Sequence, residues 1–166
     1  MTASTPTNRS DLLRNTKHSF CKALLDPPPP SELLSSYFSG TPRITEHAPS
    51  WATSRLPFLG KTFEGLDGCV QYFDALAKTL GMDMGRDTFP GVDGFIVDIQ
   101  AQLEAREGKN KGMVSVVGKA RFKSIKTGKD WHEQFIYRFS DFDEQGKIGH
   151  WEIWADPLSA WEAVGS

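Results

Sequence analysis

Two alternating segments joined by a short turn constrain this chain more than any other feature. From Met113 to Lys123, residues Val114, Val116, Gly118, Ala120 and Phe122 fall on one side, while Ser115, Lys119, Arg121 and Lys123 fall on the other. The turn Lys126-Thr127-Gly128-Lys129 reverses the chain, and Trp131, Phe135, Tyr137 and Phe139 of the returning segment face inward. Side chains of a strand point alternately to the two faces of its sheet, so this period of two predicts a half-buried antiparallel hairpin. A further turn at Asp143 to Gly146 leads into a last strand, and Pro157 opens a short helix ending near Val164.

Upstream the period changes. Ser10 or Asp11 can cap a helix beginning at Leu12, with Leu13, Phe20, Ala23 and Leu24 continuing one apolar stripe. Pro27 to Pro30 end it by removing donors and helical geometry. A shorter helix, Leu33 to Phe38, precedes a short strand at Arg43 to His47. Residues 48–65 hold Trp51, Arg55, Pro57 and Phe58, too apolar for a plain solvent loop, and are expected to pack over something. Val70, Phe73, Leu76, Ala77 and Leu80 mark a second long helix stopped by Gly81. Residues 82–94 read as a Gly/Asp-rich linker, Phe95 to Leu103 as a weakly alternating strand, and Glu104 to Gly112 as a charged connection.

Helices come first and strands follow without a βαβ rhythm, which predicts an α+β fold. The expected architecture is a curved antiparallel sheet that wraps the helices on its concave side and encloses a conical hollow. Residues 1–9 are expected to be a disordered tail and 10–166 a single domain. A net charge of −2 gives no case for nucleic acid or an anionic membrane surface. No apolar run approaches membrane-spanning length, and the first residues lack the apolar core of a signal peptide. Two cysteines, Cys21 and Cys69, make no disulfide framework, so a reducing, cytoplasmic setting fits. His18, His47, His132 and His150 are scattered without ligand spacing, which argues against a metal. No P-loop, GxGxxG, HExxH or GxSxG pattern is present.

The last strand carries the chemistry-bearing residues. Ile148, His150, Glu152, Trp154 and Asp156 share one face, opposite Gly149, Trp151, Ile153 and Ala155. Burying unpaired charge is costly, so this acidic face should either be wet or line a cavity; a cavity is expected. A carboxyl among apolar rings is desolvated and its pKa rises toward neutrality, where it can shuttle a proton. Asp156 can equally cap the helix that Pro157 opens, and Glu152 can pair with a basic residue across the sheet. His150 reads as a rim or solvated residue. His47 should oppose Glu46 across the first strand and could take a proton or hold a substrate oxygen, or simply bond to backbone. Trp51 could stack on a ring and Arg55 bind an oxyanion, or Arg55 could be an exposed loop charge. Glu133 shares a face with Trp131, Phe135 and Tyr137, as a buried acid or as a sign of a register one residue out. Asp98 is a further candidate, with Phe58, Phe73, Phe122, Phe135 and Trp154 as the apolar lining.

The stretch LPFLGKTFEGLDGCVQYFDAL, Leu56 to Leu76, resembles a segment of the SnoaL-like polyketide cyclase family, within the nuclear transport factor 2-like superfamily. TGKDWHEQFIYRFSDFDEQGKIGHWEIWADPL resembles that family's closing hairpin and final strand, so the likeness spans about residues 12–163. It implies an α+β cone, a homodimer formed through the sheet, and one cofactor-free pocket per subunit. Substrates would be small, mostly apolar molecules undergoing isomerisation, dehydration, aldol closure or epoxide opening. The family's acid/base carboxylate would match Glu152 or Asp156, and its polar partner on the first strand would match His47. The run WEIWADPLSAW is most similar to fungal members associated with secondary metabolism. The alternative is a non-catalytic ligand-binding or dimerisation module of the same fold.

Overall fold

The structure, a computed structural model, describes residues 8–103 and 110–166. Most of the expected N-terminal tail and residues 104–109 of the charged connection therefore lie outside the described residues. Helix α1, Arg9–Ala23, begins three residues before Leu12, because Asn8 Oδ1 accepts the Asp11 backbone N–H at 2.8 Å and caps it there. The prolines end it as expected, and Pro30 opens α2, Pro30–Tyr37. Phe38 is already extended (φ −109°, ψ 154°), so strand β1, Phe38–Glu46, follows without a loop and takes the residue expected to end the helix. β2 is Thr62–Glu64, α3 Gly65–Thr79 and β3 Leu80–Asp83, so the expected linker begins inside a strand. β4 is only Ile96–Asp98. The long hairpin is β5, Met113–Ser124, and β6, Asp130–Ser140, followed by β7, Ile148–Trp154, and α4, Pro157–Val164.

The strands form one sheet in the order β2-β1-β7-β6-β5-β3, with β4 also on β5. β3 and β4 share one edge of β5, pairing at Arg121–Ser124 and Met113–Ser115 respectively. Between them the Lys119 N–H donates to Thr88 O at 2.9 Å, so the loop finishes that edge. The sheet is mixed rather than wholly antiparallel, because β1 and β7 run parallel. Tight turns force antiparallel neighbours only between strands adjacent in sequence; some hundred residues separate these two, and no turn dictates their direction.

This pairing sets every face near the last strand. Ile44 pairs with Trp151 and Glu46 with Ile153, while β6 brings Tyr137 opposite Ile153 and Phe139 opposite Trp151. That set points to the concave side. Arg43, Thr45, His150 and Glu152 pair on the convex side. From His150 to Trp154 the expected inward face of β7 is thus the outward one, whereas Ile148, earlier on that face, is buried in the core.

Phe20 of α1 is the hub of the core, meeting Tyr37, Phe38, Phe139 and Trp151 edge-on at centroid distances of 5.2–5.6 Å. Lys17, 1% exposed, donates from Nζ to Gly146 O at 2.5 Å and Thr16 Oγ1 at 2.8 Å, tying α1 to the β6–β7 turn. Burial, with Arg9 adding to it, lowers its pKa to about 7. Two glycines allow close approach. A Cβ on Gly118 would lie 2.4 Å from the Phe135 ring, and one on Gly149 would lie 2.1 Å from Asp141 O.

Candidate functional site

Between the concave sheet and the helices lies a cavity of about 100 Å³, counted as space open to the centres of water molecules. Phe122, Phe135, Tyr137, Trp151 and Ile153 of the sheet form one wall, as inward parity requires. Tyr72, Phe73 and Leu76 of α3 face them, Phe58 and Leu59 close one side, and α4 adds Pro157 and Ala160. Among these apolar groups sit Glu46, Glu133 and Asp156.

Glu46 was not among the sequence candidates, yet of the three acids lining the cavity it is the most buried. Its Oε2 accepts the Tyr72 hydroxyl at 2.7 Å, and the residue is 8% exposed. Burial pushes its carboxyl up to about 8; the Tyr72 hydrogen bond opposes that rise, and the charge of Glu133 adds to it. Tyr72 is in turn driven well above its ordinary value by burial and by the Glu46 charge. Glu133 faces inward with Phe135 and Tyr137, in the register the alternation of β6 predicts. Burial raises it to about 7, against the Asp156 backbone N–H that donates to Glu133 Oε2 at 2.8 Å. The indole N–H of Trp151, also buried, has no acceptor among the described residues.

The remaining candidates separate cleanly. Asp156 borders the cavity but is the N-cap of α4: Oδ1 accepts Ser159 N–H at 3.0 Å and Oδ2 the Ser159 hydroxyl at 2.5 Å. Glu152 does not line the cavity. On the convex face its Oε1 meets His47 Nε2 at 3.0 Å and its Oε2 meets the Arg138 guanidinium at 2.8 Å. Paired in this way, a buried charge needs no cavity. His47 touches the cavity edge, but its ring stacks on Trp154 at 4.3 Å and serves Glu152. Trp154 is 37% exposed on the convex face and is not a lining residue. Trp51 is exposed and packs edge-on against Trp161, and the Arg55 guanidinium lies 4.0 Å over the same ring, so neither reaches the cavity. Asp98 is exposed and accepts the Gln100 N–H at 2.8 Å. His150 is buried on the convex side, Nε2 being 2.9 Å from Thr45 Oγ1, rather than solvated at a rim. Phe58, Phe73, Phe122, Phe135 and Glu133 do line the cavity.

One signal in the sequence could have found Glu46. It lies two residues beyond Ile44, so an apolar Ile44 facing the core carries Glu46 to the same face. Tyr72 hides in the α3 stripe with Cys69 and Leu76, where a tyrosine reads as core. Among the described residues, no three His, Cys, Asp or Glu side chains converge as a metal site, and no helix is long and apolar enough to cross a membrane.

No protein-family model matches the sequence, and no functionally curated protein matches it. Solved structures do resemble it. An NTF2-like protein of unknown function from Burkholderia pseudomallei aligns with a TM-score of 0.66 at 15% identity, covering 93% of this chain and 98% of that one. TerC, co-crystallised with polyporic acid, aligns at 0.64 and 16% identity, covering 93% and 99%. A ketosteroid isomerase-like protein from Erwinia carotovora atroseptica aligns at 0.54 and 10% identity, covering 89% and 96%. Near-complete coverage of both chains at such low identity speaks to shape alone, and with the helices cupped by a curved mixed sheet it establishes that this chain has the nuclear transport factor 2-like fold.

Proposed function

We propose that the chain is a cofactor-independent acid/base enzyme, an isomerase, cyclase or dehydratase of the SnoaL-like kind, acting on a small, mostly apolar intermediate of secondary metabolism. The observation that carries this reading is a pair of carboxyls, Glu46 and Glu133, both raised toward neutrality and both lining one aromatic cavity. A group that titrates near the working pH can both accept and return a proton. In this scheme Glu46, steadied by Tyr72, is the acid and donates to a carbonyl or departing hydroxyl oxygen. Glu133 is the base and takes the proton from the adjacent carbon. Asp156 is a positioning residue, because its backbone N–H fixes the Glu133 carboxylate. The reading moves the acid/base role from Glu152 and His47 to residues inside the cavity. The neighbours named as ketosteroid isomerase-like and as co-crystallised with polyporic acid are in keeping with it, at the level of shape. Two free cysteines suit the cytoplasm, which we propose as its compartment.

The test is solvent-proton exchange. A panel of cyclic ketones in deuterated buffer is expected to gain deuterium beside the carbonyl faster with the protein than without it. Glu133→Gln is expected to slow that exchange by about 10²–10⁴-fold. Ligand binding with no exchange and no dehydration across the panel would leave the non-catalytic binding module as the better description.

We also propose that a second copy covers the convex face. Val117 pairs with Ile136 and Ile136 with Trp154, making an apolar row across three strands whose members are 53%, 44% and 37% exposed. Sedimentation equilibrium is expected to give a dimer for the native chain and a monomer for Ile136→Asp. A monomeric native chain at micromolar concentration would refute it.

A further inference from the structure

We infer that the cavity selects uncharged, ring-bearing ligands that carry a carbonyl or hydroxyl group, and rejects carboxylates and phosphates of the same size. The inference rests on the reading of this cavity as a ligand site and adds the ligand's charge. Proteins hold a buried anion in two principal ways, with a cationic side chain or with the free N–H groups of a helix start. Neither is on offer here. Among the described residues, no lysine or arginine lines the cavity. Among the described residues that line it, His47 alone can become cationic, and it is bonded to Glu152 and stacked on Trp154. The helix start that reaches the cavity, that of α4, is filled by the chain's own acids: Asp156 Oδ1 takes the Ser159 N–H, and Glu133 Oε2 takes the Asp156 N–H.

The titratable groups that an incoming ligand meets are thus Glu46, Glu133, Asp156, Tyr72, Tyr137 and the rim residue His47. Three are acids, and Tyr72 already spends its proton on Glu46. An anion entering this set loses its water and gains no counter-charge. An uncharged carbonyl loses less and finds donors, namely a protonated Glu46 and the unpartnered N–H of Trp151. Its rings lie among Tyr72, Phe73, Phe135, Tyr137 and Trp151.

A matched pair of probes tests this. 2-Naphthamide and 2-naphthoate share ring and shape and differ in charge. If a carboxylate can enter only after taking up a proton, its apparent affinity falls tenfold for each pH unit above a carboxyl pKa of about 4.3, which amounts to at least about 100-fold at pH 7. Isothermal titration is therefore expected to show the amide bound at least about 100-fold more tightly at pH 7, the gap closing about tenfold per unit as the pH falls toward 5. Met84→Arg, which adds a cation to the lining, is expected to improve naphthoate binding at least about tenfold relative to the amide. Equal affinity of the two probes at pH 7 would overturn the inference and leave the cavity as a ligand site. Binding of neither probe would overturn the ligand-site reading itself, and this inference with it.

Discussion

Glu46→Gln is expected to make the folded chain more stable at pH 8 and above while lowering turnover by about 10²–10⁴-fold. The carboxyl of the unfolded chain ionises near its ordinary value of 4.5, whereas in the fold burial holds it to about 8. Between those values the folded state binds the extra proton, so stability falls as pH rises through the window and is greatest below it. At about 1.36 kcal/mol per unit, the cost of ionising Glu46 in place reaches roughly 3–5 kcal/mol above pH 8. Glutamine has the same shape, and its amide oxygen still accepts the Tyr72 hydroxyl, so the variant sheds that cost without opening a hole. It also loses the transferable proton. Glu133 acts in the same sense up to about pH 7. Lys17 acts in the opposite sense: its folded value of about 7 lies below the unfolded 10.5, so its contribution grows as pH rises between them. Urea unfolding followed by tryptophan fluorescence at pH 5, 7 and 9 separates these windows. The native chain is expected to lose stability from pH 5 to 7, and Glu46→Gln to lose less. Parallel curves for the two proteins would mean that Glu46 is not a buried, desolvated acid.

Gly149→Ala is expected to destabilise the chain by about 3 kcal/mol or more, a cost at the upper end of ordinary overpacking. The added methyl would sit 2.1 Å from a backbone oxygen, that of Asp141, and 2.8 and 2.9 Å from the side-chain atoms Cβ and Cγ of the same residue. A flexible side chain could swing away, but a carbonyl moves only with its strand. Asp141 is already held at a positive φ of 54°, and Arg43 meets its carboxylate at 3.5 Å. Relief would have to come from parting β6 and β7, the strands that carry Glu133 and Trp151. Gly40→Ala serves as the control, because nothing lies within 4 Å of its added methyl, and it is expected to stay within about 0.5 kcal/mol of the native chain. Chemical denaturation midpoints of the two variants decide the matter; a loss below about 1 kcal/mol for Gly149→Ala would show that the strands yield easily.

What was legible in the sequence was local. The β5–β6 hairpin could be read residue by residue because its period and turn lie within one stretch of chain, and it correctly sent Phe122, Glu133 and Phe135 to the cavity. The parallel partnership of β1 and β7 was not legible, since two strands far apart in sequence carry no shared turn to fix their direction. Without it the facing of β7 cannot be read. In Trp151-Glu152-Ile153-Trp154 either parity brings an aromatic ring inward, so hydrophobicity cannot choose between them. Charge cannot choose either, because a buried Glu152 needs no cavity when Arg138 and His47 satisfy it on the other face. Asp156 illustrates the reverse. Its position before Pro157 pointed to a cap, and the cap is what forms.

Lys17 carries a practical consequence. Burial holds this amine at a pKa of about 7 and shuts it away at 1% exposure, with its head on Gly146 O. Amine-acylating reagents can reach it only when the first helix lifts from the turn before the last strand. Its rate of labelling, read by peptide mass, is therefore a clock for that one opening, sited where no engineered reporter would have to be introduced.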